Sequence, residues 1–275
     1  MKSTAGVNEW RKQLTYQTDI DCKHCGNKLF AWRIEERGKP FCENCVSKAK
    51  KDNEEEQQRK WTDEAYQAKA VHRFKGSSLL KDKEVWSYTL DMYKAVDSET
   101  SKALEIARQA VLDINEGKTV HVVYSGVAGA GKTTLSMGIA KEVLKHDVNK
   151  KCIVIDYQYL LEEKMRSFSD NYLSKSIDKI MNDIYTANLV IIDDIGSETS
   201  TAENKKQKAS DFTVKTLNSI LQARVNKSTI ITTNLGGLQI KAAYGERITS
   251  RIFAHSTGYA MAFTETADKR LIPIK

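Results

Sequence analysis

The sequence predicts an α/β fold, a mainly parallel sheet covered by helices, with a small cysteine-rich module ahead of it. Five short apolar runs, at 120–124, 153–155, 189–192, 229–232 and 259–263, are separated by stretches of helical pattern. That alternation is what strand–helix–strand crossovers require. The turn after the first run is rich in glycine, and four of the five cysteines fall within residues 1–45 as two Cys-x-x-Cys pairs.

A chain of 275 residues has room for one domain of ordinary size and a smaller attachment. It contains no run of about 18 apolar residues, and its opening lacks the apolar stretch of a signal peptide, so a cytoplasmic protein without membrane contact is expected. Cysteines in a reducing compartment do not form a disulfide framework, and their spacing points to metal. The formal charge of +7 suits nucleic acid and plain solubility equally well, so the motifs must decide. Composition marks off a module at 1–45, a linker at 46–83 dense in charge and helix formers, and a main domain at 84–275. In the linker, Trp61, Ala65, Ala68 and Val71 recur at roughly helical spacing, a weakly amphipathic helix expected to be a solvated connector. Residues 100–114 form an amphipathic pattern through Leu104, Ala107, Val111 and Leu112, which Glu116 and Gly117 end.

The glycine-rich turn reads Gly126-Val127-Ala128-Gly129-Ala130-Gly131-Lys132-Thr133, a full match to G-x-x-x-x-G-K-[ST]. A chain that wraps a triphosphate closely needs positions without a β-carbon, and Gly126, Gly129 and Gly131 supply them. Backbone N–H groups then turn inward, and the helix starting near Lys132 offers its positive end to the phosphates. The spacing predicts ATP held across 126–134, Thr134 included. Lys132 reaches the β- and γ-phosphates and the Thr133 hydroxyl binds Mg²⁺.

Residues 189–194 are four apolar residues closed by Asp193 and Asp194, on the next expected strand but one. A buried strand ending there brings Asp193 to the Mg²⁺ hydration shell and lets Asp194 orient or deprotonate the attacking water. The run at 228–235 delivers Asn234, either as a sensor of the γ-phosphate or lytic water, or as a cap on the next turn. Strand order places it beside Asp194, which favours the sensor. Arg247 and Arg251 follow, one turn apart on one face of an expected helix. Spacing alone does not separate a surface pair from an arginine that reaches a neighbour's γ-phosphate.

Cys22-x2-Cys25-x16-Cys42-x2-Cys45 has the spacing of a four-cysteine zinc site. Two knuckles give tetrahedral thiolate coordination with no open position, so Zn²⁺ there is structural. A segment of this size buries too little apolar surface to fold alone, and the metal supplies the difference. His24 is a rival ligand inside the first knuckle, a redox pair is a rival use of the thiols, and Cys152 on an apolar run is expected to be core.

The order of these motifs resembles the DnaC/DnaI family of bacterial and phage helicase loaders and, more distantly, DnaA and the transposition helper IstB. The likeness covers roughly residues 84–270 and rests on 86–111, GVAGAGKT, LVIIDDIGSE, TIITTNL and GERITSRIF. It implies a P-loop AAA+ (ASCE) domain with a five-stranded parallel sheet, hydrolysing ATP through Lys132, Asp194 and Asn234. It also implies that Arg251, the second arginine of the last motif, is an arginine finger acting between self-associated subunits. The family inserts helices after its second strand and uses them to line a channel for single-stranded DNA. Here 157–185 carries Lys164, Arg166, Lys175 and Lys179, with Tyr159, Phe168 and Tyr172, cations for phosphates and aromatics for bases. An ordinary amphipathic helix pair is the alternative. Only 24 residues follow Arg251, so no C-terminal lid is expected, and Arg270 is the nearest stand-in for a lid-borne arginine. The function implied is loading of a DnaB-type replicative helicase in DNA replication, with the zinc module gripping the helicase as in DnaI. Direct DNA binding by that module is the rival reading. An IstB-like transposition helper and a helicase-binding adaptor or inhibitor are the alternative functions.

Overall fold

Residues 13–34, 37–199, 208–266 and 268 are described by the computed structural model of the chain, and Arg270 lies outside them. Two units form, the first ending at Ala65 and the second beginning at Tyr66. In the first, β1 (Thr15–Asp21) pairs antiparallel with β2 (Lys28–Trp32), Thr15 opposite Trp32 and Asp21 opposite Lys28. The turn between them is closed by bonds from Cys22 N to Asn27 O (2.7 Å) and from Gly26 N to Cys22 O (2.9 Å). Phe41 exchanges backbone bonds of 2.7 and 2.8 Å with Phe30, and its ring lies 5.3 Å from that of Trp32. Helix α1 (Glu43–Gly76) starts directly after Cys42. Among the described residues of this unit, the buried apolar side chains are those of Cys22, Ala31 and Cys42, so apolar burial alone holds it weakly.

The stripe read from Trp61, Ala65, Ala68 and Val71 is not the buried face of α1: Trp61 is 68% exposed, and the buried residues are Ala70 and Phe74. Tertiary packing decides this, since Phe74 sets its ring edge-on to Trp86 at 5.1 Å. Helix α2 (Ser98–Asn115) is started by a capping box in which the Asp97 carboxylate accepts from Thr100 N (2.7 Å), and it stops where Gly117 takes φ 85°. Leu112 of the expected stripe is exposed, while Ala103, Ala107 and Val111 are buried.

There follow β3 (His121–Gly126), α3 (Lys132–His146), β4 (Cys152–Asp156), α4 (Tyr157–Arg166), α5 (Asn171–Thr186) and β5 (Leu189–Ile195). The chain continues through α6 (Asp211–Ala223), β6 (Ser228–Thr233), α7 (Gly237–Tyr244), α8 (Glu246–Phe253) and β7 (Ala260–Phe263). All five expected strands form, and they join in the order β4-β5-β6-β3-β7 with every neighbouring pair parallel. Successive residues face opposite layers. Val122, Tyr124, Val154 and Ile191 pack with α2 and α3, whereas Val123, Ile155, Val190 and Ile192 pack with helices α4 to α8. The free edge of β4 is covered by Leu79, which donates to Val154 O and accepts from Asp156 N, both at 2.9 Å. Cys152 is buried in the core, where burial pushes its thiol up to about 12. No helix among the described residues is long and apolar enough to cross a membrane.

Arg224, just past α6, is fully buried. Its guanidinium donates to Ile184 O (2.7 Å), Ala187 O (3.0 Å), Ser228 O (2.5 Å) and the Thr229 hydroxyl (3.1 Å), tying the end of α5 to the start of β6. Burial pulls it down to about 9, still charged at neutral pH. Arg224→Ala strands several acceptors in the core and should lower the unfolding free energy by about 3 kcal/mol in urea titrations. A loss below about 1 kcal/mol would mean that water satisfies those carbonyls instead.

Candidate functional site

The carboxyl ends of β3, β4, β5 and β6 open onto one cleft of about 650 Å³. Its floor is the turn from β3 to α3. Gly126 has φ 106°, and a β-carbon there would stand 2.0 Å from the carbonyl oxygen of Phe263 at the end of β7. Gly131, the N-cap of α3, has φ 88°, and a β-carbon there would stand 2.6 Å from the Tyr93 ring. Only glycine fits at either point. With the loop so shaped, Ala128, Gly129, Gly131, Lys132, Thr133 and Thr134 line the cleft, Ala130 is buried behind it, and Val127 is 39% exposed. The Lys132 amino group donates to Gly126 O, Val127 O and Asn234 Oδ1, each at 2.8 Å.

Asn234, just past β6, donates in turn from Nδ2 to Asp194 Oδ1 at 2.9 Å, so lysine, amide and carboxylate form one chain. Asp193 lies deeper. It accepts from the Thr133 hydroxyl (3.0 Å) and the Thr232 hydroxyl (2.7 Å). Burial pushes its carboxyl up to about 6; the two hydroxyls pull it down, and Asp194 and Asp156 add to the rise. Burial also raises Asp194, against the pull of Lys132. Asp194 has φ 56°, a left-handed angle that aspartate tolerates better than most side chains.

Several lining residues carry no motif. Asp156 ends β4 opposite Asp193 and caps α4 by accepting from Tyr159 N at 2.9 Å. Its signal in the sequence was available, an apolar run closed by an acid, as in β5. Tyr88, Met92, Tyr93 and Lys94 form another wall, with the Tyr93 hydroxyl donating to Ala130 O at 3.2 Å. Nothing local marks these, because the fold alone brings the segment before α2 over the loop.

Arg251 does not line this cleft. It sits on α8 with its guanidinium donating to Asn218 Oδ1 on α6, and Arg247 is exposed one turn before it. The segment after β4 forms α4 and α5, where Phe168 and Tyr172 are 74% and 86% exposed and Lys175 and Lys179 are exposed. Phe168 still sets its ring edge-on to Phe212 at 5.8 Å, and three more residues of that set are engaged. Arg166 pairs with Glu163 at 2.8 Å, Lys164 lies 5.8 Å from the Phe212 ring, and Tyr159 lies 5.1 Å from Lys81 Nζ.

In the first unit the sulfurs of Cys22, Cys25, Cys42 and Cys45 all lie within 4.8 Å of one another, and His24 is not in the set. Cys22–Cys45, Cys25–Cys42 and Cys25–Cys45 are 3.7, 3.4 and 3.5 Å apart. Sulfurs on a tetrahedron with bonds of about 2.3 Å stand about 3.8 Å apart, so the donor set can hold a metal ion. Backbone N–H groups of His24 and Cys25 hold Cys22 down to about 6, whereas the Cys25 thiol, then Cys22 and Cys42, push Cys45 up to about 12.

Residues 122–256 match the ATPase family associated with various cellular activities (AAA), and the five-stranded sheet with its flanking helices has the AAA P-loop fold. The replicative helicase loader DnaC of Escherichia coli K12 is 25% identical over 166 residues, 60% of this chain and 62% of DnaC, so the match spans less than two thirds of that relative. The crystal structure of DnaI has the same fold, with a TM-score of 0.53 and 22% identity over 70% of this chain and 96% of that one. So does that of the DnaC helicase loader, with a TM-score of 0.53 and 23% identity over 66% and 100%. The resemblance to DnaC/DnaI-type loaders read from the motifs is present in both sequence and fold.

Two outcomes follow from the geometry. Asp193 must be ionised to ligate a cation, and its raised pKa keeps it neutral below about 6. Mg²⁺-dependent nucleotide affinity, followed by calorimetry, should therefore weaken by about tenfold per pH unit below 6 and level off above 7. A flat profile from about pH 5 to 8 would remove Asp193 from the cation's surroundings. Elemental analysis should find about one zinc per chain, and none in Cys42→Ser.

Proposed function

We propose that the protein is a Mg²⁺-dependent ATPase that deposits a DnaB-type replicative helicase on single-stranded DNA in the cytoplasm. The observation that carries this reading is the convergence of Lys132, Thr133, Asp193, Asp194 and Asn234 on one cleft, in a domain that resembles DnaC and DnaI. In that cleft the loop at 126–134 holds the triphosphate, with backbone N–H groups and the start of α3 facing the phosphates. Lys132 exchanges its neutral acceptors for phosphate oxygens. Thr133 and Asp193 hold Mg²⁺, which supplies charge neutralisation at the β- and γ-phosphates. Asp194 orients the attacking water, and Asn234, already bonded to both Lys132 and Asp194, reports the γ-phosphate to each.

Arg251 stands outside its own cleft, which suits a finger offered to a neighbouring subunit and makes nucleotide favour self-association. Single-stranded DNA binds along α4 and α5, where Phe168 and Tyr172 offer exposed rings and Lys175 and Lys179 offer charge. The module at 1–45, built around Zn²⁺, holds the helicase, and 46–83 serves as the helical linker to the ATPase domain at 84–275.

Co-purification with a replicative helicase, with and without ATP, tests the reading. Capture of the helicase through residues 1–65 supports it, and capture of a transposase instead would replace the loader role with an IstB-like one. Lys132→Ala should abolish ATP binding in a filter assay. Arg251→Ala should leave binding intact and slow hydrolysis by roughly 10³-fold. Wild-type turnover in the second variant would dismiss the finger.

A further inference from the structure

The turn that follows Asp194 is tied by one hydrogen-bonded pair to the end of α7, the helix just before the one that carries Arg251. At the end of β5 the backbone turns sharply, with Asp194 at φ 56° and Gly196 at φ 99°. That turn is knitted at each step: the Ser197 hydroxyl donates to Asp194 O (2.9 Å), and the Thr233 hydroxyl donates to Ile195 O (2.6 Å). Gly196 N donates to Glu198 Oε2 at 2.9 Å, and the Tyr244 hydroxyl donates to Glu198 Oε1. These bonds link Asp194 to Glu198 step by step along the turn. Tyr244 is 4% exposed and is the last residue of α7. A single residue, Gly245 at φ 84°, separates it from α8, on which Arg251 lies in the last turn. Burial raises Glu198, and parting it from Tyr244 would leave a half-buried carboxylate short of a donor, so the two move together.

We infer that Glu198 and Tyr244 are positioning residues: they set α8, and with it Arg251, according to what is bound beside Asp194 in the same chain. The inference rests on the ATPase reading and on Arg251 acting between subunits. Its chemistry is a hydroxyl–carboxylate bond that links the state of one cleft to the finger offered to the next.

Tyr244→Phe keeps the ring and removes the hydroxyl. In the full-length protein, nucleotide affinity should hold while kcat falls by roughly tenfold to a hundredfold. Mixing shows where the loss arises. Arg251→Ala subunits have a sound cleft and no finger. If Tyr244 serves its own chain's Arg251, an equimolar mixture of Tyr244→Phe and Arg251→Ala proteins stays as slow as its components. If Tyr244 serves its own cleft, the Tyr244→Phe subunits still lend a sound finger and the mixture recovers, which overturns the inference. Wild-type kcat in Tyr244→Phe overturns it as well. Lys132→Ala mixed with Arg251→Ala is the reference: recovery there reports a finger in trans, and silence there removes the trans reading and the inference with it. If Tyr244→Phe melts early, Glu198→Gln carries the same mixing test, with the same pattern expected.

Discussion

Parallel pairing of β3 between β6 and β7, with β5 and β4 beyond β6, is the constraint from which the site follows. Parallel neighbours release their carboxyl ends on one edge of the sheet, and what ends those strands must meet there. Register makes the meeting close. Asp156 stands opposite Asp193 on paired strands, and Thr232 on β6 reaches across to Asp193 at 2.7 Å. The loop needs the same pairing, since Gly126 can lie against the Phe263 carbonyl only because β7 ends beside β3.

The charges gathered on that edge are costly to the fold and useful to the chemistry. Burial opposes ionisation of Asp193, and Asp194 and Asp156 make it worse, while the Thr133 and Thr232 hydroxyls relieve it only in part. Carboxylates held this way favour any cation that joins them. The lysine is treated differently. Lys132 donates to two loop carbonyls and the Asn234 amide oxygen, and its charge pulls against the rise that burial imposes on Asp194. Arg224 follows a third rule, being buried among carbonyls with no chemistry to perform, and it secures the amino-terminal end of β6 away from the cleft.

Much of this was legible in the sequence because the signals were local. Runs of β-branched residues named four of the strands, the apolar run at 259–263 named the fifth without one, and the glycine spacing named the loop, since all depend on the conformations of adjacent residues. Asp193, Asp194 and Asn234 were readable because they stand at or within two residues of the end of an expected strand. Asp156 shared that signature and was passed over for want of a motif. Tyr88, Met92 and Tyr93 had no local mark at all, as their role comes from the folding of a segment with no regular period over a distant loop. On α1, helical spacing shows which residues share a face, but partners decide which face is buried: Ala70 and Phe74 lie in the core while Trp61 stays exposed. The bonds from Arg224 to Ile184 and from Tyr244 to Glu198 join residues 40 or more positions apart, beyond the reach of any pattern in one chain.

A crystal structure with Mg²⁺ and a non-hydrolysable ATP analogue bears most directly on the central claim, that the turn from β3 to α3 grasps a metal-bound triphosphate. The predicted result is a triphosphate inside the loop, with Lys132 moved from the Gly126 and Val127 carbonyls onto phosphate oxygens and the metal between Thr133 and Asp193. A nucleotide bound elsewhere, or Lys132 still bonded to those carbonyls with the analogue in place, would contradict it.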